Sequence, residues 1–203
     1  MAARQGDLKL AQESYERTLE ISRELNDRSE IGYSLGSLGG LARLKGDNNR
    51  ARELLIESLE TVRELGQDER VITNLLGLGV IAYQENDDER ARSFFAEALL
   101  LAARLMDKIH ISDLLDGFAA IACRSDAKRC ALLAGSADQI RRSIGYELAP
   151  AERLFRDENL DKARDALGEA AFAKLYDNGC RLSTDDAVAL ALQHPYIGPR
   201  DQS

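Results

Sequence analysis

The amino-acid sequence predicts an all-α fold built from antiparallel helix pairs, and three observations carry that prediction. The first is a fixed period. Gly6-Asp7, Gly46-Asp47 and Asn86-Asp87 recur every 40 residues, as do Ala11, Ala51 and Ala91, then Tyr15, Leu55 and Phe95, and finally Leu19, Leu59 and Leu99. A period of this length marks stacked supersecondary units that share a continuous core. The second is composition: 203 residues with 5% aromatics, no Trp and three prolines, in a background rich in helix formers. The third is the lack of β-branched runs, which leaves nothing to build a sheet from.

Each unit reads as two helices. From about Arg28 to Lys45, Ile31, Leu35, Leu38 and Ala42 recur at helical spacing, and from about Asn48 to Leu65 so do Ala51, Leu55, Leu59 and Val62. Gly46-Asp47 between them is a stop followed by a start, because glycine takes the left-handed conformation that ends one helix and aspartate caps the next. The next unit repeats the pattern with Val71, Leu75, Leu78 and Ala82, then Ala91, Phe95, Leu99 and Ala102; Asn26-Asp27 and Gln67-Asp68 mark the other corners. A degenerate fourth unit follows, with Leu114, Leu115, Phe118, Ala119 and Ala122 in its first helix and a second helix from about Asp126 to Ser143, where Cys130 or Ala131 takes the small position. Beyond it the spacing predicts helices from Pro150 to roughly Leu167, from Gly168 to about Asn178, and from Ser183 to about Gln193, the last opened by a Ser183-x2-Asp186 cap. The tail Pro195–Ser203 is expected to be disordered.

Leu35-x2-Leu38-Gly39-x2-Ala42 with Ala51-x3-Leu55, and Leu75-x2-Leu78-Gly79-x2-Ala82 with Ala91-x3-Phe95, resemble the tetratricopeptide repeat, which pairs L-G in one helix with A-x3-F in the next. Gly39 and Gly79 lack a side chain where the two helices cross, Ala51 and Ala91 are small at the same contact, and bulky residues fill the gap beside them. The 40-residue period, in place of about 34, is that of the kinesin-light-chain-like variety. The resemblance implies a right-handed superhelix of antiparallel pairs. It also sets the organisation: repeats over residues 1–106, the first lacking its first helix, a degenerate fourth repeat over 107–145, and a helical cap over 146–194.

Arg129-Cys130-Ala131-Leu132-Leu133-Ala134-Gly135-Ser136-Ala137, then Pro150-Ala151-Glu152-Arg153, Leu167-Gly168-Glu169-Ala170-Ala171-Phe172, Gly179 and Leu182-Ser183-Thr184-Asp185-Asp186-Ala187 carry a second resemblance. In that order they are similar to the carboxyl-terminal region of large bacterial signalling proteins that join an output domain to an ATPase and a tetratricopeptide array. What this implies is a non-catalytic structural cap and protein-contact module.

The chemistry of enzymes is missing from the pattern. Gly77-x-Gly79-x2-Ala82 matches a dinucleotide fingerprint, but it lies inside helical spacing and has no strand before it, so repeat packing explains Gly79 better. Gly36-Ser37-Leu38-Gly39 does not meet G-x-S-x-G, and acid pairs such as Asp87-Asp88 and Asp185-Asp186 read as helix caps. With His110 and His194 far apart and three cysteines at 123, 130 and 180, no familiar zinc spacing arises, and Cys123 and Cys130 are expected to be free thiols filling small helix contacts. A net charge of −8 argues against nucleic acid as a direct partner. No apolar run approaches a membrane span and no secretory signal is legible, so a reduced, cytoplasmic setting is expected. No enzyme activity and no cofactor are expected.

In the tetratricopeptide family the first helices of successive repeats line a concave groove. Carried over, the resemblance places Tyr33, Ser37, Gly40 and Arg43 of one repeat and Thr73, Gly77, Val80 and Tyr83 of the next in that groove. The tyrosines would offer flat contact area and Arg43 a cation for an acidic or aromatic peptide. The function implied is a protein–protein interaction module that holds a peptide or protein segment, part of a bacterial signalling or regulatory protein. The alternative is a ligand-sensing or regulatory region of a larger ATPase-coupled transcription regulator. The chain begins in mid-repeat, so the stripe Leu8, Ala11, Tyr15 and Leu19 is left without its first helix, and a homodimer through that edge, with Tyr15 near the contact, is expected.

Overall fold

Glycine and aspartate at the corners turn the chain, and in the computed structural model, which describes residues 2–148 and 150–193, every described element is a helix. The side chains at 2–6, 150, 151, 154 and 155 are outside the described set. The helices are α1 (Ala2–Leu25), α2 (Arg28–Leu44), α3 (Asn48–Glu64), α4 (Asp68–Gln84), α5 (Asp88–Leu105), α6 (Lys108–Ala122), α7 (Ala127–Ile144), α8 (Pro150–Leu167), α9 (Glu169–Gly179) and α10 (Thr184–Leu192). They form an all-α helical repeat. The chain divides into two compact units, Met1–Ala98 and Leu99–Ser203, and the division falls inside α5. Residues Pro195–Ser203, the expected disordered tail, and His194 lie outside the described residues.

The corners repeat one piece of chemistry. Asn26, Gly46, Gly66, Asn86 and Met106 all take positive φ, between 55° and 81°, and so end a helix in the left-handed conformation. Asp27, Asp47, Asp87, Asp107 and Asp126 then accept from the backbone N–H three residues on, at 3.1, 3.0, 2.9, 3.1 and 3.1 Å. Gln67 breaks the series: it makes no side-chain cap, and its amide instead donates to the Ser29 hydroxyl at 2.7 Å. Ser183 caps α10 as its spacing predicts, accepting from the Asp186 N–H at 3.1 Å. Gly6-Asp7 is not a corner. α1 runs through both residues.

In the first unit the expected crossings are present. A Cβ on Gly39 would lie 2.8 Å from Leu55 Cγ and 3.3 Å from the Ala51 carbonyl oxygen, and one on Gly79 would overlap the Phe95 ring. Ala51, Ala91, Leu55 and Phe95 are fully buried at these contacts. A buried polar chain crosses the same layer. The Asn74 amide donates to Ser58 Oγ at 2.7 Å, and that hydroxyl donates to the Gly32 carbonyl at 2.6 Å, tying α4 and α2 to α3. Tyr15 packs edge-on to Tyr33, with centroids 5.9 Å apart, and with Leu19 it joins the core of Leu35, Leu38 and Leu54.

In the second unit α6 and α7 pair, and α8 lies against both, as α4 lies against α2 and α3. Arg156 on α8 follows Asp116 on α6 by the same 40 residues and is ion-paired to it at 3.3 Å. α9 crosses α7 closely, with the Gly135 and Gly179 faces against the backbone at Tyr176 and Leu132. Cys123 and Cys130 are corrected from free thiols to a disulfide. They flank the corner between α6 and α7 with Cα atoms 5.1 Å apart, a separation that permits bridging. Cys180 is free and half-buried.

Gly79→Leu is expected to lower stability by at least about 1–3 kcal/mol, because Phe95 has no room to yield. Gly40→Ala, where nothing lies within 4 Å of the added carbon, is expected to raise it by up to about 1 kcal/mol through helix propensity. Thermal melts of the two variants beside the parent check both signs.

Candidate functional site

The candidate site lies on the first unit, where α2 and α4 run side by side. Ser29 meets Gln67 and Arg70, Gly36 meets Asn74, and Gly39 and Gly77 both face Leu55, so the two helices are parallel neighbours in a constant register. On α2 the buried face holds Gly32, Ser34, Leu35, Leu38 and Gly39, which leaves Tyr33, Ser37, Gly40 and Leu44 in line on the other side. On α4 the buried face leaves Thr73, Gly77, Val80 and Gln84 in the matching line.

Six of the eight expected residues fall on this strip: Tyr33 and Thr73 are exposed, and Ser37, Gly40, Gly77 and Val80 are half-buried. Gly77 owes part of its place to packing, since a Cβ there would stand 3.0 Å from Leu55. The other two leave the line. Tyr83 is only 8% exposed and belongs to the core, so it offers no contact area. Arg43 is half-buried and already engaged within the chain.

Tyr33 is the anchor of the strip. It is 41% exposed, and its ring is held between the edge of Tyr15 and the guanidinium of Arg70, which stacks 4.9 Å from the ring centroid. Arg70 Nη1 also donates to the Ser29 carbonyl at 2.7 Å. No carboxylate among the described residues pairs with Arg70. A hydrogen bond with the Tyr15 hydroxyl, then the Tyr15 and Glu30 charges and partial burial, push the Tyr33 phenol above its ordinary range, against the pull of Ser37. Tyr33 is therefore a neutral hydroxyl, able to donate, at physiological pH. The sequence reading missed Arg70. Its signal was faint: it stands one helical turn before Thr73, but the matching slot in the preceding repeat holds Glu30, so no repeat pattern singles it out.

The second unit holds a different concentration of charge. Arg141 bridges Asp116 at 2.7 Å and Asp138 at 3.1 Å, Arg156 bridges the same two at 3.3 and 3.0 Å, and the Tyr176 hydroxyl donates to Asp138. Burial opposes the Asp138 charge, but Tyr176 and the two guanidiniums outweigh it and hold the carboxyl below its usual range. Beside this quartet is a cavity of about 410 Å3 whose lining includes Arg142, Tyr146, Arg153 and Arg156. Asp113 on α6 has one carboxyl oxygen buried and without a hydrogen-bond partner among the described residues. Burial, then the charges of Asp116 and Glu152, push Asp113 up to about 7, against Arg141 and His110. Among the described residues no group of three or more His, Cys, Asp or Glu is placed to hold a metal, and no helix is long and apolar enough to cross a membrane.

Residues 30–103 match the tetratricopeptide repeat family. Repeats of this family generally mediate protein–protein interaction and are typically non-catalytic. The crystal structure of BtubC (BKLC) from P. vanneervenii is similar in fold, with a TM-score of 0.66 and 22% identity, over 99% of this chain and 80% of that one. No curated protein matches the chain in sequence.

The Asp113 carboxyl gives a pH test of the second unit. The folded chain keeps this proton to about pH 7, whereas an unfolded aspartate releases it near pH 4. Its contribution favours folding in acid and is lost as pH rises through about 7. Asp113→Asn is expected to melt close to the parent near pH 4 and several degrees above it at pH 8. Melting temperatures across that range check it, and a difference that does not change with pH would overturn it.

Proposed function

We propose that this chain is a non-catalytic interaction module that holds a peptide or protein segment along the strip of α2 and α4. The observation that carries the reading is Tyr33, exposed yet fixed by Tyr15 and Arg70, beside glycines at 40 and 77 that let a partner backbone approach. A rigid aromatic next to an arginine is the usual make-up of an energetic anchor. Arg70, with no carboxylate of its own, favours a segment that carries an acidic side chain, and Tyr33 and Thr73 supply hydroxyls beside it. The likeness of residues 129–193 to the C-terminal region of bacterial signalling proteins supports a place in a regulatory protein, while the Cys123–Cys130 bridge weighs against the reduced, cytoplasmic setting expected for it.

A second reading, a ligand-sensing region of a larger ATPase-coupled transcription regulator, is favoured by the 410 Å3 cavity beside the buried charges of the second unit. A metabolite that raises the melting temperature of the parent, and not of Arg153→Ala, would support that reading.

For the strip, acidic and aromatic peptides selected from a library on the purified chain are expected to lose about tenfold or more in affinity on Tyr33→Ala or Arg70→Glu, with unchanged far-ultraviolet circular dichroism. Arg43→Glu is expected to have the smaller effect on affinity, since that side chain is already engaged within the chain. Binding that survives both Tyr33→Ala and Arg70→Glu would move the site off this strip.

A further inference from the structure

The repeat register shows what is uncovered at the first helix. On α3, the face formed by Leu54, Ser58 and Thr61, with Leu65 just past its end, meets α2: Leu54 packs with Leu35 and Leu38, Ser58 Oγ donates to the Gly32 carbonyl, and Gly32 approaches Val62 and Thr61 so closely that a Cβ would stand 2.8 Å from Val62. Forty residues earlier the same positions on α1 are Ser14, Thr18, Ile21 and Leu25. Here Ser14 is exposed, Thr18 Oγ1 turns back to its own helix at the Ser14 carbonyl, and Leu25 is 73% exposed against 39% for Leu65. Leu10, 68% exposed, and Ile21, 42% exposed, complete an apolar line on this face. The stripe expected to be bare is not the one that is bare: Tyr15 and Leu19 pack with Leu35 and Leu38 of α2, and Leu8 and Ala11 are half-buried.

The charges beside the line are mostly acidic. Asp7, Glu13, Glu20 and Glu24 are exposed next to it, against Lys9 and Arg17. Lys9 pairs with Glu13 at 3.6 Å and Arg17 with Glu20 at 2.8 Å, which leaves Glu24 and Asp7 as surplus negative charge among the described side chains. A second copy would bring the same acids to the contact, on a chain whose net charge is already −8.

We propose that this face of α1 is a docking surface for a partner's basic amphipathic α-helix, which takes the place that α2 takes on α3. Apolar residues of that helix cover Leu10, Ile21 and Leu25, and lysines or arginines on its flank meet Asp7 and Glu24. A small residue passes Ile21, as Gly32 passes Thr61, and Thr18 Oγ1 donates to a carbonyl of the incoming helix, as Ser58 does to Gly32. The surface is distinct from the strip of α2 and α4, so it stands or falls independently of the proposed function.

The test uses a fluorescently labelled 18-residue helical peptide with leucines at helical spacing, one central glycine and lysines on its flanks, titrated with the full chain. A second peptide has glutamates in place of the lysines. The lysine peptide is expected to bind, with Kd raised about tenfold by Ile21→Asp and by Asp7→Lys with Glu24→Lys, and unchanged by Leu44→Asp or by Tyr33→Ala. Ile21→Asp decides the matter, because it adds negative charge: attraction by charge alone would tighten the complex, whereas loss of the apolar contact loosens it. Absence of binding, equal binding of the glutamate peptide, or indifference to Ile21→Asp would each overturn the proposal. So would sedimentation of the parent as a dimer that Ile21→Asp dissociates, which would make a second copy the occupant.

Discussion

The close approach of α2 to α3 and of α4 to α5 at a glycine is the contact on which the rest of the first unit depends. Gly39 against Leu55 and Gly79 against Phe95 bring each first helix down onto its second, and the fully buried Ala51 and Ala91 keep the second helix small at the same depth. Leu55 does double duty, since it also fills the space before Gly77 of the next first helix. One side chain thus fixes the spacing within a pair and between pairs, which keeps α2 and α4 in parallel register. That register aligns Tyr33, Ser37 and Gly40 with Thr73, Gly77 and Val80. The strip is a by-product of core packing, positioned by residues that never reach the surface.

Periodicity made most of the first unit legible, because every layer of the repeat reuses the same residue sizes at the same offsets. The second unit was legible in its elements but not in its arrangement. There Arg141, Arg156, Asp116 and Asp138 form a buried charge network beside the apolar core, and charged residues leave no periodic pattern to read. Asp116 and Arg156 are 40 residues apart, yet nothing in the sequence distinguishes this pair from a dozen solvated acids and bases. The Cys123–Cys130 bridge was equally hidden, since seven residues of separation fix no geometry until the corner between α6 and α7 is formed.

The site residues divided for a similar reason. Positions 33, 37 and 40 lie in line on one side of α2, but position 43 is offset from that line, and in the next repeat its counterpart Tyr83 is drawn into the core by its own bulk. A family pattern transfers positions; whether a large side chain at a position is buried depends on what stands opposite. Arg70 was missed for the converse reason: it reaches Tyr33 across helices, and a contact between parallel neighbours is invisible in a pattern read along one of them.

Charge sorts what the two surfaces of the first unit can hold. With a net charge of −8, the chain repels acidic partners at distance, so Arg70 acts only once a segment is within a Debye length or so of the strip, about 8 Å at physiological salt. In the proposed complex, affinity rests on Tyr33 and on backbone approach over Gly40 and Gly77, with the arginine setting register. At α1 the same acidity works in the other direction, drawing basic segments in from solution to a face where apolar contact retains them. The strip therefore selects by contact and the α1 face by approach, and a partner suited to one is disfavoured at the other.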